Sequence, residues 1–197
     1  MSPEILLSLL LFVFTTSITP GPNNMMLLAS GVNFGVVRTV PHMIGIEVGF
    51  GSLLLACGFG LGALLETVPS LYLALKIAGG LYLLYIAWSI ARSRTLGEGR
   101  SSARPMGFVA AALFQWVNPK AWVMAISSMA AFSDPSRPVF SVLVITGAFV
   151  ALALPCQGSW TLFGAVLRTW LSDPRRLKWF NITMAVLLVI SLWPMLK

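Results

Sequence analysis

The stretch that decides the fold runs from Ile5 to Val32 and reads ILLSLLLFVFTTSITPGPNNMMLLASGV. Its apolar part ends at Thr19 and is about 22 Å long as a helix, shorter than the ~30 Å hydrocarbon core of a bilayer. Pro20 and Pro22 then interrupt the helix, because proline lacks an N–H group and clashes with the preceding turn. The apolar pattern resumes after Asn23. The stretch therefore predicts one membrane span that is broken by proline.

The rest of the chain is as apolar as this stretch. Of its 197 residues, 57% are hydrophobic and 10% are charged, whereas about a quarter of the residues in a soluble domain are charged. Such a chain has too little polar surface to cover itself in water, so its expected surroundings are a lipid bilayer. The net charge of +7 is carried by short loops between apolar runs, and no nucleic-acid partner is expected.

Five further apolar runs follow the broken one. They extend over Val40–Leu65, Leu71–Ala91, Gly107–Phe132, Val139–Leu167 and Trp179–Leu196. We therefore predict an all-α polytopic membrane protein with six transmembrane helices, in a single transmembrane domain that covers residues 1–197.

The chain divides into two halves of equal length. Residues 1–91 and residues 107–197 each hold three runs, and a basic loop, residues 92–106, joins them. An odd number of spans in each half gives the halves opposite orientations, which is the layout of an inverted repeat. Each half also opens with a run interrupted by proline, at Pro20 in the first helix and at Pro119 in the fourth. We predict two inverted three-helix repeats.

The basic residues predict the orientation of these spans. Cytoplasmic loops of membrane proteins are enriched in lysine and arginine. Nine of the 13 basic residues fall in the first, third and fifth connections, and these are Arg38, Arg92, Arg94, Arg100, Arg104, Arg168, Arg175, Arg176 and Lys178. The odd-numbered loops are therefore expected in the cytoplasm, with both termini outside it.

Paired breaks in corresponding spans are the best sequence indication of a transport site. Proline frees helical carbonyl groups, which are costly in hydrocarbon unless protein, water or a ligand satisfies them. The resumed half-helix presents unpaired N–H groups and the positive end of its dipole, and both suit a carboxylate. The expected partner is a small zwitterion. The candidate binding residues are Thr19, Pro20, Gly21, Pro22, Asn23, Asn24, Gln115, Asn118, Pro119 and Lys120.

Four histidine, lysine or glutamate residues lie inside the apolar runs, and one of them, Lys76, is near the outer end of its run, where its ammonium is expected to reach the interface. Lys120 is about 20 Å into its run on helical rise, and a cation at that depth needs a partner, a watery cavity or an anion. Glu47 could pair with Lys120, receive a substrate amino group or carry a proton. We predict that Glu47 and Lys120 take part in proton or ion coupling. His42, at the edge of its run, is interpreted as an ordinary interfacial histidine, with a proton relay as the alternative.

Several motifs resemble those of the LysE/RhtB family of amino-acid exporters. They are TPGPNN at residues 19–24, followed by Gly35, Arg38 and a glycine-rich second run, YIAWSIARS at residues 85–93 and NPK at residues 118–120. The resemblance covers the whole chain and is nearest to the cysteine and O-acetylserine exporter branch. It implies export of amino acids or close derivatives across the bacterial inner membrane, driven by the proton gradient.

A second interpretation rests on the two cysteines. Cys57 and Cys156 fall at similar depths in the second and fifth runs, where a pair could act as an intramembrane thiol-disulfide oxidoreductase. Neither belongs to a CxxC motif, and a free cysteine is often a small buried hydrophobe. The residues show no metal cluster, cofactor motif or catalytic triad, so no enzyme, metal or cofactor is expected. The oligomeric state is left open, and a homo-oligomer is one option.

Overall fold

The computed structural model describes residues 1–62, 67, 69–93, 96 and 104–193. All regular elements within these ranges are helices. Parts of the sequence predictions lie outside them: most of the loop 92–106, including Arg94 and Arg100, the end of the second run at Leu65, and the end of the sixth run at Leu196.

The described residues form eight α-helices. They are α1 (Pro3–Ile18), α2 (Pro22–Phe34), α3 (Val36–Ala56), α4 (Pro69–Arg92), α5 (Phe108–Val117), α6 (Pro119–Phe132), α7 (Pro138–Trp170) and α8 (Pro174–Ile190). Six of the eight begin at a proline, because a proline in the first turn gives up an N–H group that has no helical acceptor and its φ is already helical.

Side-chain caps fix several of these helix starts. Ser2 accepts a hydrogen bond from the Ile5 N–H of α1 at 3.4 Å. Asp173 accepts from the N–H groups of Arg175 and Arg176, both at 2.9 Å, at the start of α8. The bond from the Arg176 N–H is the main cause that lowers the pKa of the Asp173 carboxyl below its ordinary value. These caps satisfy N–H groups that a helix start otherwise leaves unpaired.

Both predicted breaks are present. α1 ends at Ile18 and α2 starts at Pro22, with a bend of 53° between them. α5 ends at Val117 and α6 starts at Pro119. The extended backbone of the residues before each restart, Gly21 and Asn118, is the conformation that a following proline favours.

The predicted number of spans is only partly visible. Three described helices are long and apolar enough to cross a membrane, namely Val36–Leu61, Leu73–Arg92 and Pro138–Trp170, and the bent pair α1–α2 adds a fourth. α5 and α6 have 10 and 14 residues and α8 has 17, each below the roughly 20 residues of a single span. The described part of the chain is all-helical with apolar spans, and the count of six stays a prediction.

The second apolar run differs from the prediction at its end. It is α-helical only to Ala56 and continues as a π-helical turn, Cys57–Leu61. Gly60 in this turn has φ = 107°, a left-handed conformation that glycine adopts without the steric cost of a Cβ atom. Gly60 therefore bends the chain at this point.

The two halves of the chain interleave through close helix contacts. The most extensive contacts join α2 to α7, α3 to α5 and α4 to α8, so each crosses from one half to the other. A Cβ atom on Gly31 would collide with the Thr161 carbonyl of α7, and one on Gly45 would collide with the Phe108 carbonyl of α5. Small residues thus allow the backbones to approach closely, as in other membrane helix pairs. This packing brings the two breaks together.

Candidate functional site

The two breaks contact each other reciprocally. At the start of α6, the Lys120 ammonium donates to the Thr19 carbonyl at 2.9 Å and to the Thr19 hydroxyl at 3.1 Å, at the end of α1. At the start of α2, the Asn23 amide donates to Gln115 Oε1 at 2.8 Å, near the end of α5, and Gln115 Nε2 returns a bond to Asn23 Oδ1 at 3.2 Å. Each half-helix that restarts therefore holds the half-helix that ends at the other break.

Three backbone carbonyl groups at the first break accept hydrogen bonds from side chains. Asn24 Nδ2 donates to the carbonyls of Ser17 at 2.7 Å and Thr19 at 2.9 Å. Trp160 Nε1, from α7, donates to the Ile18 carbonyl at 3.1 Å. Exposed carbonyls are costly in hydrocarbon, and these side chains make the interruption of the helix tolerable.

Side chains also bind backbone groups at the second break. Trp122 Nε1 donates to the Trp116 carbonyl at 2.8 Å, and the Asn118 side chain accepts from the Lys120 N–H at 3.1 Å as the cap of α6. The start of α2 differs, because its cap residue is Gly21 and makes no side-chain cap. Its first N–H groups and the positive end of its dipole are therefore available to an anion.

A cavity lies between the breaks. It has about 450 Å³ of empty volume, part of it open to solvent. Polar side chains from five helices line it: Thr16, Ser17, Asn23, Asn24, Gln115, Asn118, Lys120 and Gln157. Among the predicted site residues, Gly21, Asn23, Asn24, Gln115, Asn118 and Lys120 line this cavity. Thr19 reaches the site through its bonds to Lys120, while Pro20, Pro22 and Pro119 shape the breaks.

Gly21 packs directly against the Lys120 side chain. A Cβ atom at this position would lie 2.8 Å from Lys120 Cδ and 3.0 Å from Lys120 Nζ. A real Cβ does not approach so closely, so the absence of a side chain at Gly21 leaves the space through which Lys120 reaches Thr19.

Glu47 and Lys120 have different partners. Glu47 is buried in α3, with 8% of its surface exposed, and its Oε1 accepts from Gln157 Nε2 of α7 at 2.6 Å. Lys120 is bound to Thr19 instead. The sequence left open a pair between Glu47 and Lys120, and this structure does not contain one. Glu47 is joined to the cavity through Gln157, which lines it.

The sequence did not identify Gln157 or Trp160 as site residues. Both are polar or amphipathic residues inside the long apolar run of α7, close to Pro155. Gln157 Oε1 is buried and has no hydrogen-bond partner. A polar amide in an apolar run could have been recognised as a candidate, but its pairing with a glutamate 110 residues away could not.

The two cysteines, Cys57 and Cys156, are free and buried. Among the residues that the structure describes, no three His, Cys, Asp or Glu side chains are grouped so that they could hold a metal ion.

An apolar helical chain with two broken helices around a polar, cationic cavity has the architecture of a membrane transporter. The chain belongs to the family described as LysE type translocator, whose family model matches residues 14–191. The resemblance found from the sequence motifs is thereby confirmed.

Its relatives include efflux proteins of nearly the same length. The chain is 34% identical over 194 residues to a cysteine/O-acetylserine efflux protein of Klebsiella pneumoniae subsp. pneumoniae, a match over 96% of this chain and 95% of that protein. It is 30% identical over 193 residues, 96% of each chain, to cysteine/O-acetylserine efflux proteins of Escherichia coli (strain K12) and Shigella sonnei. No solved structure matches the chain.

Proposed function

We propose that this chain is a secondary transporter that exports an amino acid or a close derivative, and that the substrate binds between the two helix breaks. The observation that carries the proposal is the cavity itself, which combines a lysine ammonium, an uncapped helix start and neutral amides inside an apolar protein. The named function of the relatives, at 30–34% identity over almost the whole chain, supports the same substrate class.

The cavity offers separate groups for the two charges of a zwitterion. Lys120 and the start of α2 suit a carboxylate, because a charge-assisted hydrogen bond and a helix dipole both favour an anion there. Gln157 lines the same cavity, and its Oε1 has no donor in the protein, so a small movement of this side chain would let it accept from the ammonium group of the substrate. We therefore expect a small zwitterion, of which cysteine and O-acetylserine are the first to be tested.

We also propose that Glu47 carries the coupled proton. Among the acidic residues that the structure describes, Glu47 is the one that is buried. Its hydrogen-bond partner, Gln157, is a neutral side chain that lines the cavity. An ionised carboxylate is costly to bury without a cation, so Glu47 can exchange a proton as its surroundings change. Gln157 would couple the protonation of Glu47 to substrate binding, because its side-chain amide would contact both Glu47 and the substrate.

The proposed topology has six spans in two inverted repeats, with both termini outside the cytoplasm. The nine basic residues of the odd-numbered connections support the orientation. The reciprocal contacts of the breaks support the repeat, because the start of α2 binds the end of α5 and the start of α6 binds the end of α1. The shorter helices α5 and α6 would together form the fourth span.

The direct experiment is an efflux assay in cells that overproduce the chain, loaded with a panel that includes cysteine and O-acetylserine. The wild-type chain is compared with Lys120→Met and with the control Lys76→Met. Lys76 is a lysine within the apolar helix α4 and outside the cavity lining, so its loss removes a membrane lysine without touching the site.

The proposal expects export by the wild type and by Lys76→Met, with loss of export by Lys120→Met at unchanged membrane abundance. Both hydrogen-bond partners of Lys120 in the protein are neutral. Its replacement by methionine therefore removes the free-energy cost of desolvating a charge and leaves no carboxylate unpaired. Equal export by all three chains at equal abundance would overturn the proposed site. Export of none of the panel by any chain would overturn the substrate class.

A further inference from the structure

A second cavity lies outside the site described above. It has about 880 Å³ of empty volume, part of it open to solvent, and is lined by α2, α3, α4, residues 104–106 and the start of α5. Its lining shares no residue with that of the cavity between the breaks. Its lining includes the exposed Arg104 of the third connection, which the charge pattern places at the cytoplasmic face.

His42 forms part of the wall of this cavity and has unused hydrogen-bonding capacity. Only 1% of its surface is exposed, and neither of its ring nitrogens has a hydrogen-bond partner. A buried polar group without a partner is costly, and a histidine ring offers both a donor and an acceptor. The exposed guanidinium of Arg104 lines the same cavity. His42 and Arg104, from distant parts of the sequence, thus both line this cavity.

A thin apolar layer separates this cavity from the one between the breaks. His42 lines the second cavity, and Ile46, one helical turn further along α3, lines the cavity between the breaks. These two residues are about 6 Å apart along the helix axis. Ile46 packs with Leu27 and Ala111 in a cluster in which each of the three is at most 2% exposed. A substrate that passes from one cavity to the other would have to displace these side chains.

We propose that the second cavity is a cytoplasm-facing entry site that binds the zwitterionic substrate before it passes the Leu27–Ile46–Ala111 layer. Arg104 holds the carboxylate, because a guanidinium binds carboxylates in a two-point geometry. His42 accepts a hydrogen bond from the ammonium group through one ring nitrogen. Tyr82 and Tyr85, whose rings stack at 6.1 Å, form the wall against the rest of the substrate. The inference rests on the proposed function for the substrate class and the orientation.

Substrate protection of single cysteines tests this site separately from the central one. In a chain with Cys57→Ala and Cys156→Ala, Ser89→Cys reports on the second cavity and Met124→Cys on the cavity between the breaks, since each lines only one of them. Alkylation by a maleimide is followed in inside-out membrane vesicles. O-acetylserine is the probe because it has no thiol to consume the reagent.

Binding slows alkylation at a protected cysteine by the factor 1 + [L]/Kd, about tenfold at a ligand concentration ten times Kd. We expect O-acetylserine to protect both reporters. Arg104→Gln should remove protection of Ser89→Cys and leave that of Met124→Cys, and the control Arg137→Gln, in a different connection, should leave both. His42→Ala should act like Arg104→Gln. Because Arg104 is exposed, its replacement tests the site even if His42→Ala fails to fold.

Protection of Met124→Cys alone would overturn the entry site and leave the proposed function standing. Protection of Ser89→Cys that survives both Arg104→Gln and His42→Ala would also overturn it, because the reporter would then respond to a change elsewhere. Protection of neither reporter would overturn the entry site together with the substrate class.

Discussion

Among single residues, Lys120 is the one on which substrate binding between the breaks most depends. A cation in the centre of a bilayer costs at least ~2.5 kcal/mol on insertion scales. The partners that Lys120 has here, the carbonyl and hydroxyl of Thr19, are neutral. They satisfy its hydrogen bonds and leave its charge unbalanced beside the cavity. A carboxylate in the cavity would balance that charge.

Gly21→Ala tests the position of the Lys120 ammonium. The backbone of Gly21 is extended, so alanine fits the local conformation, but its Cβ would displace the Lys120 side chain. We expect export to fall about tenfold, which corresponds to the ~1.4 kcal/mol that one disturbed charge-assisted bond can supply, at unchanged membrane abundance. The measurement is efflux normalised to protein. Gly147→Ala, where a Cβ meets nothing within 4 Å, is the control and should export normally. Normal export by Gly21→Ala would contradict this role for the contact.

Glu47→Gln tests proton coupling. A glutamine carbonyl can still accept from Gln157 Nε2, so the fold should be retained, while the exchangeable proton is lost. We expect proteoliposomes with this variant to exchange O-acetylserine for O-acetylserine as the wild type does, and to lose uphill transport driven by a pH gradient. Uphill transport at the wild-type rate would exclude Glu47 as the proton carrier.

The residues around the breaks could be recognised in the sequence because they are polar or charged while their neighbours in the chain are apolar. Lys120, Asn23 and Gln115 are polar or charged groups in apolar runs, and such groups are expensive in lipid. Their partners could not be predicted in the same way. The bonds from Lys120 to Thr19 and from Gln157 to Glu47 join residues 101 and 110 positions apart, and only the packing of the helices brings them together.

At the scale of the elements, the breaks depend on close packing by neighbouring helices. The carbonyl of Val117, the last residue of α5, lies against Gly79 of α4, where any Cβ atom would collide with it. Gly80, the next residue, has open space at its Cβ position. These adjacent glycines on one helix differ in what they contact, so alanine substitutions at the two positions form a test and its matched control.

We expect Gly79→Ala to destabilise the protein by about 1–3 kcal/mol, the usual cost of overpacking. Gly80→Ala should leave stability unchanged or raise it by up to about 1 kcal/mol, because alanine is the better helix former. Thermal unfolding of the two purified variants in detergent provides the comparison. Equal melting temperatures for both variants would mean that α4 does not support the second break.

The breaks could be predicted from proline alone, since proline acts through its own backbone. The π-helical turn at Cys57–Leu61 could not. A run of glycines between apolar residues is also the pattern of a helix that packs closely on its neighbours, and the sequence does not distinguish a packing glycine such as Gly49 from a bending one such as Gly60. The difference is the φ angle of 107° at Gly60, which depends on where the chain must turn.

For the whole molecule, the central question is how the helices cross the membrane. α7 has 33 residues and is about 50 Å long, which is enough to cross and extend beyond the hydrocarbon on a tilt. Its two ends carry the fourth and fifth connections. Six spans with cytoplasmic odd-numbered loops place these ends on opposite sides.

Ser136→Cys, before α7, and Ser172→Cys, after it, test this topology in a chain without Cys57 and Cys156. Both positions are exposed in turns. We expect a membrane-impermeant maleimide to label Ser136→Cys in intact spheroplasts and Ser172→Cys only after the membrane is opened. Labelling of both from the outside, or of neither, would contradict the six-span arrangement.

The position of the substrate is tested most directly by equilibrium binding of radiolabelled O-acetylserine to purified protein, comparing the wild type with Lys120→Met and Lys76→Met. A hydrogen bond to a charged group contributes about 1.5–3 kcal/mol. If Lys120 binds the substrate carboxylate, we expect Lys120→Met to bind O-acetylserine about 10- to 150-fold more weakly than the wild type. Lys76→Met should keep the wild-type affinity. Unchanged affinity in a folded Lys120→Met protein would contradict the claim that the substrate binds between the two breaks.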